Sequence, residues 1–358
     1  MQEKHIAYLD NPEIYQKYDP SGMLIHIHNF PRLCRDAWQM GLGIQLPEEY
    51  KAVKKVLILG MGGSAIGGDL MASLAVNESA VTVQVCREYF LPRHVDQNTL
   101  VIASSYSGMT EETLSAFEQS FETSALKLAV TTGGKLQSLC QSRDVPVFTI
   151  NYKSSPRAAL PYSFFTLMGI MQNLGFLPER KADFEETFSL LDQMNLQIAE
   201  NTPQNENPAK MLAQKLMGRL PVIYGSGITS EVARRWKGQI NENSKMVCFF
   251  EVYPELNHNA VMGYRFPEVI LAKCFIVMLD STLLHERVQL RYEITGQILD
   301  KAGIQYQVVK GRGNSALSQM MSLVLFGDYV SYYLAMLNQT DPTEIKAIDF
   351  LKNSLAKH

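Results

Sequence analysis

Cysteine is scarce in this chain and scattered. Cys34, Cys86, Cys140, Cys248 and Cys274 form no CxxC pair and no cluster with histidine. An odd set so spaced argues against a disulfide framework and carries no zinc-site signature. Excess charge is missing too: 33 Lys and Arg stand against 36 Asp and Glu, a formal net charge of −3. No basic field is there to attract nucleic acid, and no polyanionic tail. The opening MQEKHIAYLD is polar and lacks an apolar signal segment. No run of about 20 apolar residues stands out to span a bilayer. These absences predict a reduced, soluble, cytoplasmic protein that engages neither nucleic acid nor membrane.

What is present is core material. Hydrophobic residues make up 46% of 358 positions, enough for two domains. Residues 1–50 read as an N-terminal helical arm, with Leu24, Ile27, Phe30, Leu33, Trp38 and Met40 in loose helical spacing and a break expected at Pro31. From Lys55 the pattern alternates strand, loop and helix: KVLIL, SAIGGDLMASLA, VTVQVC, LVIASSY, TEETLSAFEQSF, KLAVTT, LQSLCQS and VPVFTI. Such alternation predicts an α/β unit, a parallel sheet covered on both faces, over residues 51–177. PYSFFTLMGIMQNLGFL, apolar nearly all round, closes it as a buried helix. The polar stretch 178–207 is the expected linker. A second cycle over 208–358 begins at LPVIYGSGITSEVARRWKGQI, with MVCFF, EVILAKCFIVML and IQYQVV as further strands and Gly303 as a helix stop. VLILGMGGS aligns over PVIYGSGIT as a faint internal repeat.

The most informative segments are GMGGSAIGGD (60–69) and SSYSGMTEET (104–113), each following a strand and opening a helix. Glycines let backbone approach a ligand, and hydroxyls with helix N-termini suit a phosphate monoester. The candidates are Ser64, Ser105, Ser107 and Thr110, with Arg157 in SSPRAALPY as a charged contact. Each Ser or Thr taken singly is equally at home as a helix cap. Gly60-x-Gly62-x-x-Ala65 also matches a dinucleotide fingerprint, but Glu88 lies too far along for the usual acidic partner. A second hydroxyl-rich loop has no role in that reading. The loop at 225–229 is poorer in hydroxyls, so phosphate is expected in the first half only.

Acid–base candidates lie in the second half. In RRWKGQINENSK, Glu242 falls near the C-terminal end of a helix, where the dipole and burial would favour its protonated form. In PELNHNAVMG, His258 occupies a polar loop after a strand. A solvated glutamate and a structural histidine are the plain alternatives. Beside a phosphate anchor, the pair suits proton transfer next to a sugar carbonyl: His258 opening the ring, Glu242 moving the C2 proton to C1 through a cis-enediol(ate).

GMGGSAIGGD, SYSGMTEETL, SPRAALPY, RRWKGQINENSK and PELNHNAVMGY together resemble the bifunctional phosphoglucose/phosphomannose isomerases of the sugar isomerase (SIS) superfamily. The likeness runs from about residue 20 to the closing DPTEIKAIDFLKNSL. It implies two SIS-type subdomains, each an αβα sandwich, and metal-independent, cofactor-free interconversion of glucose 6-phosphate or mannose 6-phosphate with fructose 6-phosphate. It implies phosphate binding by Gly63, Ser64, Ser105, Ser107, Thr110 and Arg157, with Glu242 as base and His258 as ring opener. It further implies a homodimer in which the histidine comes from the partner subunit, a catalytic lysine at Lys352, and an epimer-tolerance threonine at Thr340 or Thr343. Met109 stands where many superfamily members carry Asn. The alternatives are a non-catalytic SIS sensor of sugar phosphates, an isomerase of another phosphorylated sugar, and the isomerase part of an amidotransferase. The sensor usually carries a basic helix-turn-helix, and the amidotransferase a glutaminase domain opening with Cys. Neither feature is seen here.

Overall fold

The computed structural model describes residues 8–355 and Lys357; His358 and the first seven residues of the expected arm lie outside them. Contacts divide the chain into two compact units, Asn29–Phe188 and the pair Met1–His28 with Ser189–His358. Composition had suggested cuts near 50, 177 and 207. The contact division falls elsewhere because residues 8–28 and 29–50 belong to different units. Within the 29–188 unit, α3 (Phe30–Leu42) packs along α7 (Leu160–Asn173). In the other unit, α1 (Pro12–Tyr18) and α2 (Met23–His28) pack on α13 (Ala316–Leu337). The helical pattern is interrupted beside Pro31, as expected: α2 ends at His28 and α3 starts at Phe30, with Pro31 in its first turn, where a missing N–H costs nothing.

Unit 29–188 holds β1 (Lys55–Leu59), α4 (Gly62–Glu78), β2 (Thr82–Cys86), β3 (Thr99–Ser105), α5 (Glu111–Gln119), β4 (Leu126–Thr131), α6 (Gly134–Ser142) and β5 (Val147–Thr149). The strands form a parallel sheet in the order β2-β1-β3-β4-β5. Every residue of β3 is buried, as a central strand covered on both faces must be. Leu57, Leu59, Val101, Ala103, Ala129 and Phe117 form part of its core. Helices α3 and α7 cross closely through glycine: a Cβ on Gly41 would lie 2.4 Å from the Thr166 carbonyl oxygen, and one on Gly169 2.5 Å from that of Trp38.

The boundary between units falls inside α8 (Lys181–Gln197), in the stretch expected as a linker. The larger unit continues with α9 (Pro208–Leu216), β6 (Leu220–Gly225), α10 (Ser230–Ser244), β7 (Phe249–Val252), α11 (Glu268–Leu271), β8 (Cys274–Asp280), α12 (Glu286–Ala302), β9 (Gln305–Lys310), α13 and α14 (Lys346–Leu355). Its parallel sheet runs β7-β6-β8-β9. EVIL, expected as strand, is the single turn α11; only from Cys274 does the backbone pair with β6. Helix α13 also corrects the absence of a bilayer-length run. Its 22 residues are long and apolar enough by composition, and the apolar window is entirely buried inside the unit. Asp328, near its middle, marks it as a core helix whose one carboxylate needs an internal partner.

Candidate active site

In the sheet of unit 29–188, the chain passes from β1 to β2 on one side and returns to β3 on the other. The loops leaving β1 and β3 therefore diverge at a topological switch point, where open α/β sheets take their ligands. Register aligns Leu59 with Ala103, so the two Gly- and Ser-bearing turns emerge side by side. Helix α4 starts at Gly62, whose φ of +49° favours glycine. Gly63 and Ser64 lie in its first turn, at the positive end of the helix dipole, with the Ser64 N–H donating to the Met61 carbonyl at 3.1 Å.

The two turns are laced together. Ser64 Oγ accepts the Tyr106 N–H at 3.1 Å, and Ser105 Oγ meets Thr110 Oγ1 at 2.9 Å. Ser107 is exposed, and its Oγ accepts the Met109 N–H at 3.2 Å. Thr110 is the N-cap residue of α5 but makes no side-chain capping bond, so the plain cap reading fails there. Met109, in place of the common Asn, accepts the Lys135 N–H through its sulfur at 3.4 Å.

Arg157 joins this cluster through glycine. A Cβ on Gly63 would lie 2.7 Å from the Pro156 carbonyl oxygen and 3.1 Å from the Arg157 nitrogen. Ser163 Oγ donates to the Gly63 carbonyl at 2.9 Å. The 3₁₀ turn Pro156–Ala159 thus rests directly on the first turn of α4, with Arg157 only 3% exposed. A buried arginine carried on a turn that packs against the start of α4 is of a residue type suited to an anion. Gly63, Ser64, Ser105, Ser107, Thr110 and Arg157 are all brought to this one end of the sheet.

Tyr106 escaped sequence reasoning. Its hydroxyl donates to the Tyr152 carbonyl at 2.6 Å and accepts the Ser154 N–H at 2.8 Å. Its own carbonyl accepts from Thr132 N and Oγ1. It braces the serine turn against the segment leading to Arg157. The available signal was a large aromatic between two loop serines.

In the other unit, Glu242 stands half-buried in the last turn of α10, as its spacing predicted. The helix is held against α13 by a buried polar network. Arg235 Nη2 donates to both oxygens of Asp328, Gln239 Nε2 donates to the same carboxylate at 2.9 Å, and Trp236 Nε1 donates to the Leu323 carbonyl at 2.9 Å. Closer to Glu242, Asn243 Nδ2 donates to Ser331 Oγ and Ser244 Oγ to the Ser331 carbonyl. The flanking polar residues are therefore anchors, a role the sequence pointed to only through an aspartate inside an apolar helix. His258 closes a 3₁₀ turn after β7 and is exposed. Lys352 is exposed on α14, which buries none of its residues.

The turns after β6 and β8 are the second unit's counterparts of the phosphate turns. Their polar groups bond each other. Ser226 and Thr229 form a capping box, and Thr229 Oγ1 donates to the Leu279 carbonyl at 2.9 Å. Gln319 bridges Ser281 and Thr282, accepting from Ser281 Oγ at 2.6 Å and donating to Thr282 Oγ1 at 2.7 Å.

Residues 205–355 match the model of the bacterial phospho-glucose isomerase C-terminal SIS domain. A bifunctional phosphoglucose/phosphomannose isomerase of Caldicellulosiruptor bescii is 43% identical over 336 residues, 94% of this chain and 99% of that protein. Its counterpart from Aquifex aeolicus is 35% identical, covering 85% and 91%. Among solved structures, a hypothetical protein of Thermus thermophilus superposes with a TM-score of 0.75 at 17% identity, over 96% of this chain and 92% of that one. That likeness speaks for the fold. With near-complete coverage at such identity, the chain belongs to the bifunctional phosphoglucose/phosphomannose isomerase family, built on two SIS-type parallel sheets.

Proposed function

We propose that the protein is an aldose–ketose isomerase that interconverts glucose 6-phosphate and mannose 6-phosphate with fructose 6-phosphate. The observation that carries this reading is the convergence of Ser64, Ser105, Thr110 and Arg157 at the β1/β3 switch point, in a chain 43% identical to a named isomerase. The phosphate would rest on the first turn of α4 and the hydroxyls of the β3 turn. Binding energy spent on that remote group holds C1 and C2 still for proton transfer. His258 would protonate the ring oxygen as the hemiacetal opens. Glu242 would take the C2 proton and return it to C1, and the Lys352 ammonium would stabilise charge on the enediolate oxygens.

The same reading includes a homodimer in which His258 serves the neighbouring subunit's site. Its support is exposure. His258 faces solvent, and the segment after it leaves Met262 82%, Phe266 66% and Val269 77% exposed, an apolar surface that association would cover. Five free cysteines fit a reducing cytoplasm.

A second reading has its own observation. A D-glucosamine-6-phosphate 4-epimerase of Sulfolobus acidocaldarius is 30% identical over 219 residues, so another phosphorylated sugar is the competing substrate class. One assay separates these readings: fructose 6-phosphate formation from each aldose phosphate, with metal chelated. Turnover by wild type and its loss in Glu242→Gln are expected. No turnover by wild type, or full turnover by the variant, defeats the assignment; tight binding without turnover points to a sensor.

A further inference from the structure

Lys245 ends α10 in the left-handed region, at φ 55° and ψ 30°. Glycine or asparagine usually takes such a position, because a Cβ is strained there. The side chain gives the reason for lysine. Its Nζ turns back to donate to the Glu242 carbonyl at 2.6 Å and lies 3.4 Å from that of Asn243. It also donates to the Asp341 carbonyl at 2.7 Å and reaches that of Pro342 at 3.5 Å. Asn338 Nδ2 adds a bond to the Ser244 carbonyl at 2.9 Å. One ammonium thus neutralises the negative end of the helix carrying Glu242 and fastens it to the segment entering α14.

That segment is ordered on its far side as well, the Thr343 N–H bonding Asp341 Oδ1 at 2.7 Å. Beyond it, α14 buries none of its residues, so apolar packing does little to fix Lys352. We propose that Lys245 is a positioning residue: by clamping residues 341–342 to the last turn of α10, it sets where α14 presents Lys352 relative to Glu242. The proposal rests on the roles given above to those two residues.

The test uses variants of the full chain. Lys245→Gly relieves the strained backbone and keeps the cap, which offsets the lost side-chain bonds, so it folds with a Tm close to wild type, yet it cuts the tether. Its kcat for fructose 6-phosphate formation falls about tenfold or more while KM shifts less than about threefold, the pattern of a displaced catalytic group. Amides of residues 344–355 exchange hydrogen faster. Lys245→Arg, which keeps a donor, recovers most of the rate. Wild-type kcat or unchanged exchange in Lys245→Gly overturns the proposal and leaves a helix cap only. Wild-type turnover and the Glu242→Gln loss are read in the same assay. If wild type itself is inactive, the functional reading falls, and exchange alone decides the tether.

Discussion

Arg235 Nη2 lies 2.9 and 2.7 Å from the two carboxylate oxygens of Asp328, and both residues are buried, at 4% and 5% exposure. The two belong to α10 and α13, 93 residues apart. Removing one partner strands the other's charge in the core, a loss of about 3–5 kcal/mol. Asp328→Leu should therefore lower the urea midpoint strongly. The double variant Arg235→Met with Asp328→Leu should recover much of that loss, since apolar packing replaces a buried pair at little cost. A double variant no better than the single one would contradict this.

Arg157 should govern substrate binding. A charge-assisted bond in a buried cradle contributes about 1.5–3 kcal/mol. Arg157→Met is expected to raise KM for each hexose 6-phosphate by about tenfold to a hundredfold, and to weaken inhibition by inorganic phosphate in parallel. Should KM stay put while kcat alone drops, phosphate is held elsewhere.

Tyr106→Phe should act on the same cradle without touching substrate. It strips a partner from the Ser154 N–H and the Tyr152 carbonyl, at a cost of about 1–3 kcal/mol. Thermal unfolding should show the loss, and phosphate affinity should fall with it. Normal stability in this variant would mean that water takes over both bonds.

Acid should weaken the docking of α2. His28 Nε2 lies 2.8 Å from Glu200 Oε2, and this close contact with His28 holds the Glu200 carboxyl below its usual range. A depressed carboxyl contributes stability above its unfolded value, about pH 4.3, that disappears as pH falls through the folded value. The difference in urea midpoint between wild type and Glu200→Gln should accordingly shrink from pH 6 to below pH 4. Asp19, which burial holds above the usual carboxyl range, titrates in both proteins and cancels from the difference. A difference that stays constant with pH would rule the contact out as a contributor.

Much of the local geometry around the candidate site was legible in the chain. The turn after β1 spans a few residues, so Gly62 at positive φ, Gly63 and Ser64 can be read from GMGGS alone. The same holds for Ser105 to Thr110 and for the position of Glu242 at a helix end. EVIL misled for a local reason too. A short apolar run fits one helical turn as well as a strand.

What the residues determined by themselves was the alternation of strand and helix, the two hydroxyl-rich turns and the polar helix end bearing Glu242. Hydrogen bonding and steric freedom within a few neighbours decide those. Only the tertiary structure joined Tyr106 to Tyr152, Gly63 to Arg157, Arg235 to Asp328 and Lys245 to Asp341. These pairs lie 46 to 96 positions apart. No short-range pattern encodes such partners, because a buried polar group can be satisfied by whichever residue the packed helices bring within reach.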